Sequence, residues 1–127
     1  IELLPRFGFT YSSNLMDDVR PYRHDRSDVI ELPVHWVLDD APHFWFDAGS
    51  WTKTIRTAAE VEALWEEEVA GIRALGGLAV VTMHPQVIGR PGRLAMLDRF
   101  LGWVRRLGDA WIAPCAEIAA HAREADR

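Results

Sequence analysis

Residues 58–75, AAEVEALWEEEVAGIRAL, run through Gly76-Gly77 straight into the apolar segment Leu78-Ala79-Val80-Val81-Thr82-Met83-His84-Pro85. This junction constrains the fold more than any other stretch. Val61, Leu64, Trp65, Val69, Ile72 and Leu75 recur at helical spacing, with Glu62, Glu66, Glu67, Glu68 and Arg73 on the other side. Such a stripe predicts an amphipathic helix docked on a core. Thr57 with Glu60 three residues later predicts a capping box at its start, and the glycine pair predicts its stop. The segment 78–83 then reads as a buried strand ending on a histidine and a proline. A second helix follows near 93–107, carrying Leu94, Leu97, Phe100, Leu101, Val104 and Leu107, after a turn at Gly89 to Gly92. A short strand at 110–113 and a last helix from Cys115 to Glu124 complete the series. Strands separated by helices pair in parallel through crossover connections.

The earlier half is less regular. Pro5 and Gly8 bracket a short helix, and Phe9 to Ser12 favours a strand with Ser12, Ser13 and Asn14 at its polar exit. Residues 16–28 are charged and aperiodic, which predicts a surface loop. Val29 to Leu38 is the next apolar run, although Pro33 argues for an early or irregular place in a sheet. Asp39-Asp40-Ala41-Pro42 closes it, and the aromatic stretch His43 to Phe46, with Trp51, follows. So many large rings are expected to pack over something, either a pocket mouth or a partner subunit. The expected class is α/β, as a β/α barrel or a doubly wound sheet.

The 127 residues suit one domain, or the latter part of one, with no repeat or interdomain linker. Ile1 to Phe9 resembles the last turns of a helix begun upstream, so a fragment, a processed product or part of a longer chain is expected. A formal charge of −5 with mixed signs argues against nucleic acid or anionic membrane as the main partner. No apolar run approaches a membrane span and no signal-peptide pattern occurs. Cys115 is the single cysteine, which favours a reducing, cytoplasmic setting.

Parallel strands place their C-terminal ends on one rim, which would gather Ser12, Ser13 and Asn14 with Asp39, Asp40 and His84. His84 is the candidate proton-transfer group, held by the scaffold yet open to substrate. It could instead only bond the following turn. Asp39 and Asp40 could orient a histidine, bind substrate or give one metal oxygen; they could equally cap the turn. Alternation along an extended chain lets at most one of them face the site, Asp40 sharing parity with Trp36 and Leu38. His24 and His43 fall in loops as interface or pocket candidates, while His35 and His121 read as packed or solvated. No histidine pair has metal-ligand spacing and Cys115 has no sulfur partner, so these residues alone give little sign of a metal site. Gly89 and Gly92 do not form a phosphate loop. Arg90 and Arg93 could draw an anionic substrate, although a surface role is more common.

FGFTYSSNLMDD, IELPVHWVLDDAPHF, VVTMHPQVIGRPGR and LGDAWIAPCAEIAAH together resemble the C-terminal part of the polysaccharide deacetylase (NodB-like) family. The nearest likeness is to the cytoplasmic branch with peptidoglycan-deacetylase-like proteins and allantoinase-like or cyclic-imide hydrolases. The resemblance implies that residues 1–127 are the C-terminal portion of one catalytic domain, a distorted (β/α)7 barrel. It implies hydrolysis of a C–N amide bond, usually an N-acetyl group on a sugar. Thr82-Met83-His84-Pro85 then matches the motif whose histidine is the general acid, and Trp36, Asp39 and Asp40 match the pocket-lining strand, with Ser12 and Asn14 as further pocket candidates. The aspartate base and a divalent metal, zinc by expectation, would be held mainly by residues upstream of this segment. The implied partners are the N-terminal half of the barrel, on the same or a companion chain, a small-molecule or glycan substrate, and further copies in a homo-oligomer. A cyclic-amide hydrolase and an inactive binding barrel are the alternatives.

Overall fold

The computed structural model describes residues 1–51 and 53–125. A 3-10 turn at Leu4–Phe7 leads into strands β1 (Tyr11–Ser12), β2 (Tyr22–Arg23) and β3 (Ile30–Glu31). After a second 3-10 turn at Trp36–Leu38 come helices α1 (Asp40–Phe44), α2 (Ala58–Ala74), α3 (Pro85–Ile88), α4 (Pro91–Arg106) and α5 (Cys115–Ala125). The strands form one sheet in the order β1-β3-β2, with β1 parallel and β2 antiparallel to β3. This is a small α/β fold with an open, mixed sheet among the described residues, consistent with part of a barrel. It separates into two compact units, one of residues 1–35, 72–80 and 111 onward, the other of 36–71 and 81–110.

In the first unit Ile30, Leu32 and Ala119 are the buried centre, with Tyr11, Leu78, Cys115, Ile118 and Ala122 packed on it. The alanine-rich face of α5 lets its backbone approach the sheet closely. Arg123 then donates from one guanidinium nitrogen to the carbonyls of Thr10 and Asp28, each at 2.9 Å, tying the end of α5 to the residues that precede β1 and β3. Gly76 adopts φ 64 at the end of α2, the left-handed geometry of a helix stop. At Gly77 a Cβ would stand 2.6 Å from the Val19 carbonyl oxygen, so only glycine lets the chain pass while the Leu78 amide donates to that carbonyl at 2.7 Å.

In the second unit α2 and α4 bury Val61, Trp65, Met96 and Phe100, with the Trp65 and Phe100 rings edge to face at 5.4 Å. The predicted capping box is present. The Thr57 amide donates to Glu60 Oε2 at 2.9 Å and the Glu60 amide to Thr57 Oγ1 at 3.3 Å, so each residue satisfies a free group of the other. Arg99 forks onto Glu62 across the two helices.

Several expected elements differ. The run 78–83 is half-buried extended chain whose only ladder contact among the described residues is an isolated parallel bridge from Thr82 to Asp39. Residues 110–113 form no strand, and Trp111 and Ile112 are exposed. Apolar composition marks chain that is able to be a strand, but a ladder needs a neighbouring backbone, and none stands beside these segments over a sufficient length. The run 29–38 keeps strand pairing only at β3, ending before Pro33, which has no N–H to donate. One further correction concerns a loop: residues 16–28 contain β2; the short helix α3 precedes the expected turn at Gly89. On α4 Leu94 and Leu101 are exposed while Met96 is buried, so the stripe is rotated from the expected one.

Candidate active site

The parallel bridge between Asp39 and Thr82 sets the site. The Thr82 amide donates to the Leu38 carbonyl at 2.9 Å and the Asp40 amide to the Thr82 carbonyl at 3.1 Å, bringing the ends of two segments side by side. Asp39 becomes the N-cap of α1, its carboxylate accepting from the Ala41 amide at 2.8 Å. His84 is the N-cap of α3, and Pro85 fits the first helical position because its missing N–H would have had no partner there. Both chains therefore turn at the same level, with their polar residues adjacent.

Asp40 is 0% exposed. One of its oxygens accepts from the His84 backbone amide at 3.0 Å and the other faces His84 Nδ1 at 2.6 Å. A carboxylate accepts but cannot donate, so the proton of this pair sits on Nδ1 and Nε2 is left for other partners. Asp39 adds a second carboxylate 3.8 Å from the same nitrogen, while the His84 side chain stays 38% exposed. The Asp40 hydrogen bond holds the His84 pKa above its ordinary 6.5; desolvation opposes this and the charges of Asp40 and Asp39 add to it. Trp45, where α1 ends, meets the imidazole edge to face at 6.5 Å. Arg93 ties the two short helices together, donating to the Val87 carbonyl at 2.6 Å and lying 4.4 Å above the Phe44 ring. That position commits it to structure rather than to an anionic substrate.

Both aspartates thus approach His84, against the expectation that alternation would allow only one. The reason is local: Asp39 is still extended as the N-cap, but the chain turns helical from Asp40, so the period-2 rule stops applying between the two residues. Trp36 is exposed on the 3-10 turn before them. Ser12 and Asn14 lie in the other unit, gathered on Glu31. Glu31, 0% exposed, accepts from the Asn14 and Leu15 amides at 2.6 and 2.9 Å and pairs with His24 Nε2 at 2.9 Å. Burial pushes its carboxyl up, but the bonds from Asn14, Leu15, Ser12 and His24 outweigh this and hold it below the ordinary range. In sequence Glu31 is the lone charge within VIELPV, the signal of a buried group that requires partners. His43 is buried with Nε2 donating to the Val37 carbonyl at 2.9 Å, which makes it a structural residue and not a pocket candidate.

The expectation that metal ligands lie upstream is also corrected. Asp39, Asp40 and His84 form a candidate metal-binding triad within this segment, each offering one ligand atom, all within 4.8 Å of one another. Two carboxylate oxygens and an imidazole nitrogen are donors that divalent zinc accepts. Linear spacing concealed the triad because His84 lies more than forty residues beyond the adjacent aspartates and meets them where the Asp39–Thr82 bridge joins the two segments.

No protein-family model matches the chain. Its sequence is 25% identical over 141 residues to a peptidoglycan deacetylase of Helicobacter pylori, covering 87% of this chain and 48% of that protein. Its structure aligns at a TM-score of 0.93 and 41% identity with a Mycobacterium smegmatis protein described as a polysaccharide deacetylase, over 98% of this chain and 45% of that one. The fold is also shared with the allantoinase Puue, at a TM-score of 0.79 and 20% identity over 94% of this chain and 40% of that one. The chain spans less than half the length of each of these three proteins. Over that span it is homologous to the polysaccharide-deacetylase, NodB-like fold family.

Proposed function

We propose that this chain supplies the acid side of a C–N hydrolase site, acting on N-acetylated sugars, with His84 as general acid. The observation that carries this reading is the double hold of buried Asp40 on His84, through the backbone amide and through Nδ1. It fixes the ring, and it leaves Nε2 to face a substrate with the charged imidazolium favoured. Water adds to the amide carbonyl carbon and loses its proton to a base; the C–N bond then breaks as Nε2 passes a proton to the departing nitrogen, giving acetate and amine. Asp40 balances the imidazolium before transfer and keeps the neutral ring in the correct tautomer afterwards. A divalent cation held by Asp39, Asp40 and deprotonated His84 would instead supply Lewis-acid polarisation of a substrate oxygen, a state exclusive of the imidazolium acid.

The water-activating base is assigned to an N-terminal half of the same barrel, on the same or a companion chain. The open sheet edges of β1 and β2 and the length ratio to the matched proteins support this division. With that half, residues 1–127 form one catalytic domain. The test uses the full-length protein, following acetate release from N-acetylglucosamine oligomers beside succinimide hydrolysis. His84→Ala is expected to lower kcat about 10²- to 10⁴-fold with substrate affinity retained. An unchanged kcat in a folded variant rejects the acid role. Turnover of succinimide alone rejects the sugar as substrate.

A further inference from the structure

Helices α1 and α3 have five and four residues, too few to hold their shape unaided, yet their starts carry the whole Asp40–His84 contact. At that end the Asp39–Thr82 bridge fixes them. At the other end one side chain does so. Arg93, in the first turn of α4, donates from one guanidinium nitrogen to the Val87 carbonyl of α3 at 2.6 Å and from another to the Phe44 carbonyl of α1 at 3.4 Å. Both carbonyls lie in the last turn of their helix, where a cation is favoured. The central carbon of the guanidinium lies 4.4 Å from the centre of the buried Phe44 ring, which fixes its plane as well. The connection that delivers Arg93 is equally constrained. Gly89 ends α3 with its amide on the Pro85 carbonyl at 3.0 Å, and a Cβ there would stand 2.3 Å from that oxygen. The Arg90 carbonyl then takes the Arg93 and Leu94 amides, each at 2.9 Å, and α4 begins at once.

We propose that Arg93 is a positioning residue for the acid: by holding the C-terminal ends of α1 and α3 together, it sets the Asp40–His84 contact at their N-terminal ends. Its effect on rate rests on the hydrolase reading, to which it adds a residue that never meets substrate. Tying two carbonyls would steady any fold. What singles out the acid is that these two belong to the helices capped by Asp39 and His84. A helix rises about 1.5 Å per residue, so the guanidinium acts about 5–6 Å along each axis from the pair. With the tie cut, each short rod can pivot about the Asp39–Thr82 bridge, and the 2.6 Å contact between Nδ1 and Asp40 lengthens. Lysine is a poor substitute: a planar fork reaches two carbonyls at once and stacks on a ring, whereas an ammonium is one point charge.

The experiment follows the His84 Nδ1 proton by NMR in the full-length protein, assigned by its absence from His84→Ala, beside acetate release from N-acetylglucosamine oligomers. A proton held between imidazole and carboxylate resonates far downfield and moves back as that contact lengthens. In Arg93→Ala the resonance is expected to move upfield or exchange away. The same variant should lower kcat about 10- to 100-fold, the cost of misplacing a reacting group by up to about 1 Å, with KM changed less than about twofold. Arg93→Lys keeps the stem and one donor, so it guards against a variant that fails to fold. It should fall between Arg93→Ala and the native protein in both readouts. Arg105→Ala, an exposed arginine at the far end of α4, should move neither. An unmoved resonance in folded Arg93→Ala or Arg93→Lys overturns the proposal, as does a rate loss carried by KM alone. A resonance that follows Arg93 in a protein releasing no acetate would sink the hydrolase reading and leave Arg93 as the holder of the pair. Acetate release that needs His84 but not Arg93, with the resonance in place, would do the reverse.

Discussion

Replacing Glu31 tests whether one buried carboxylate organises the polar exit of β1. Its side chain is 0% exposed, and one oxygen accepts from two successive backbone amides, Asn14 and Leu15, at 2.6 and 2.9 Å. The other oxygen faces His24 at 2.9 Å. Glu31→Ala strands both amides and the imidazole beside a cavity, and losing these bonds to a buried charged acceptor costs about 3–5 kcal/mol. Glu31→Gln keeps an amide oxygen for Asn14 and Leu15 and loses the charge-assisted bond, so about 1–2 kcal/mol is expected. Urea unfolding of the full-length protein at pH 7 measures both. The acid side gives a second check. Because the folded carboxyl lies below its ordinary 4.5, its contribution is fully present above that value and disappears as pH falls through the folded pKa. The gap between native protein and Glu31→Gln should therefore narrow on acidification. A loss below about 1 kcal/mol for the alanine variant, or a gap that widens in acid, would refute the argument.

Two further outcomes concern the Asp40–His84 pair. Asp40→Asn removes the bond that raises the His84 pKa, so the basic limb of the rate–pH profile, where the acid loses its proton, is expected to move to lower pH; a limb that stays in place refutes Asp40 as its cause. Zinc titrated into the protein should bind more tightly as pH rises through the His84 pKa, since the metal requires the deprotonated nitrogen, and should release protons as it binds. Asp40→Asn and Asp39→Asn should each weaken it, and an affinity indifferent to pH and to both variants removes the triad as a metal site.

What could be read in advance follows the range of the interactions. The amphipathic stripe of α2, its Thr57–Glu60 box and its Gly76 stop depend on neighbours within four residues, and all three are present. The strand at 78–83 depends on a backbone partner that composition does not name, and it is reduced to one bridge. His84 and the two aspartates were legible as strand-end polar residues, but their joint geometry was not. Asp39 caps a helix, which ends the alternation on which their facing was judged, and the same turn brings both carboxylates to one imidazole. Grouping Ser12 and Asn14 with His84 requires that every strand end serve the same rim. Glu31 supplies a different reason for polar residues at that point: a carboxylate with no exposure needs donors, and the exit of β1 is where its sheet neighbour can provide them. A polar cluster at a strand end therefore identifies a functional rim only when no buried charge on the adjacent strand already accounts for it. Buried Asp40 likewise accounts for the amide and Nδ1 of His84, so the proposed acid role rests on Nε2, the one nitrogen that carboxylate does not engage.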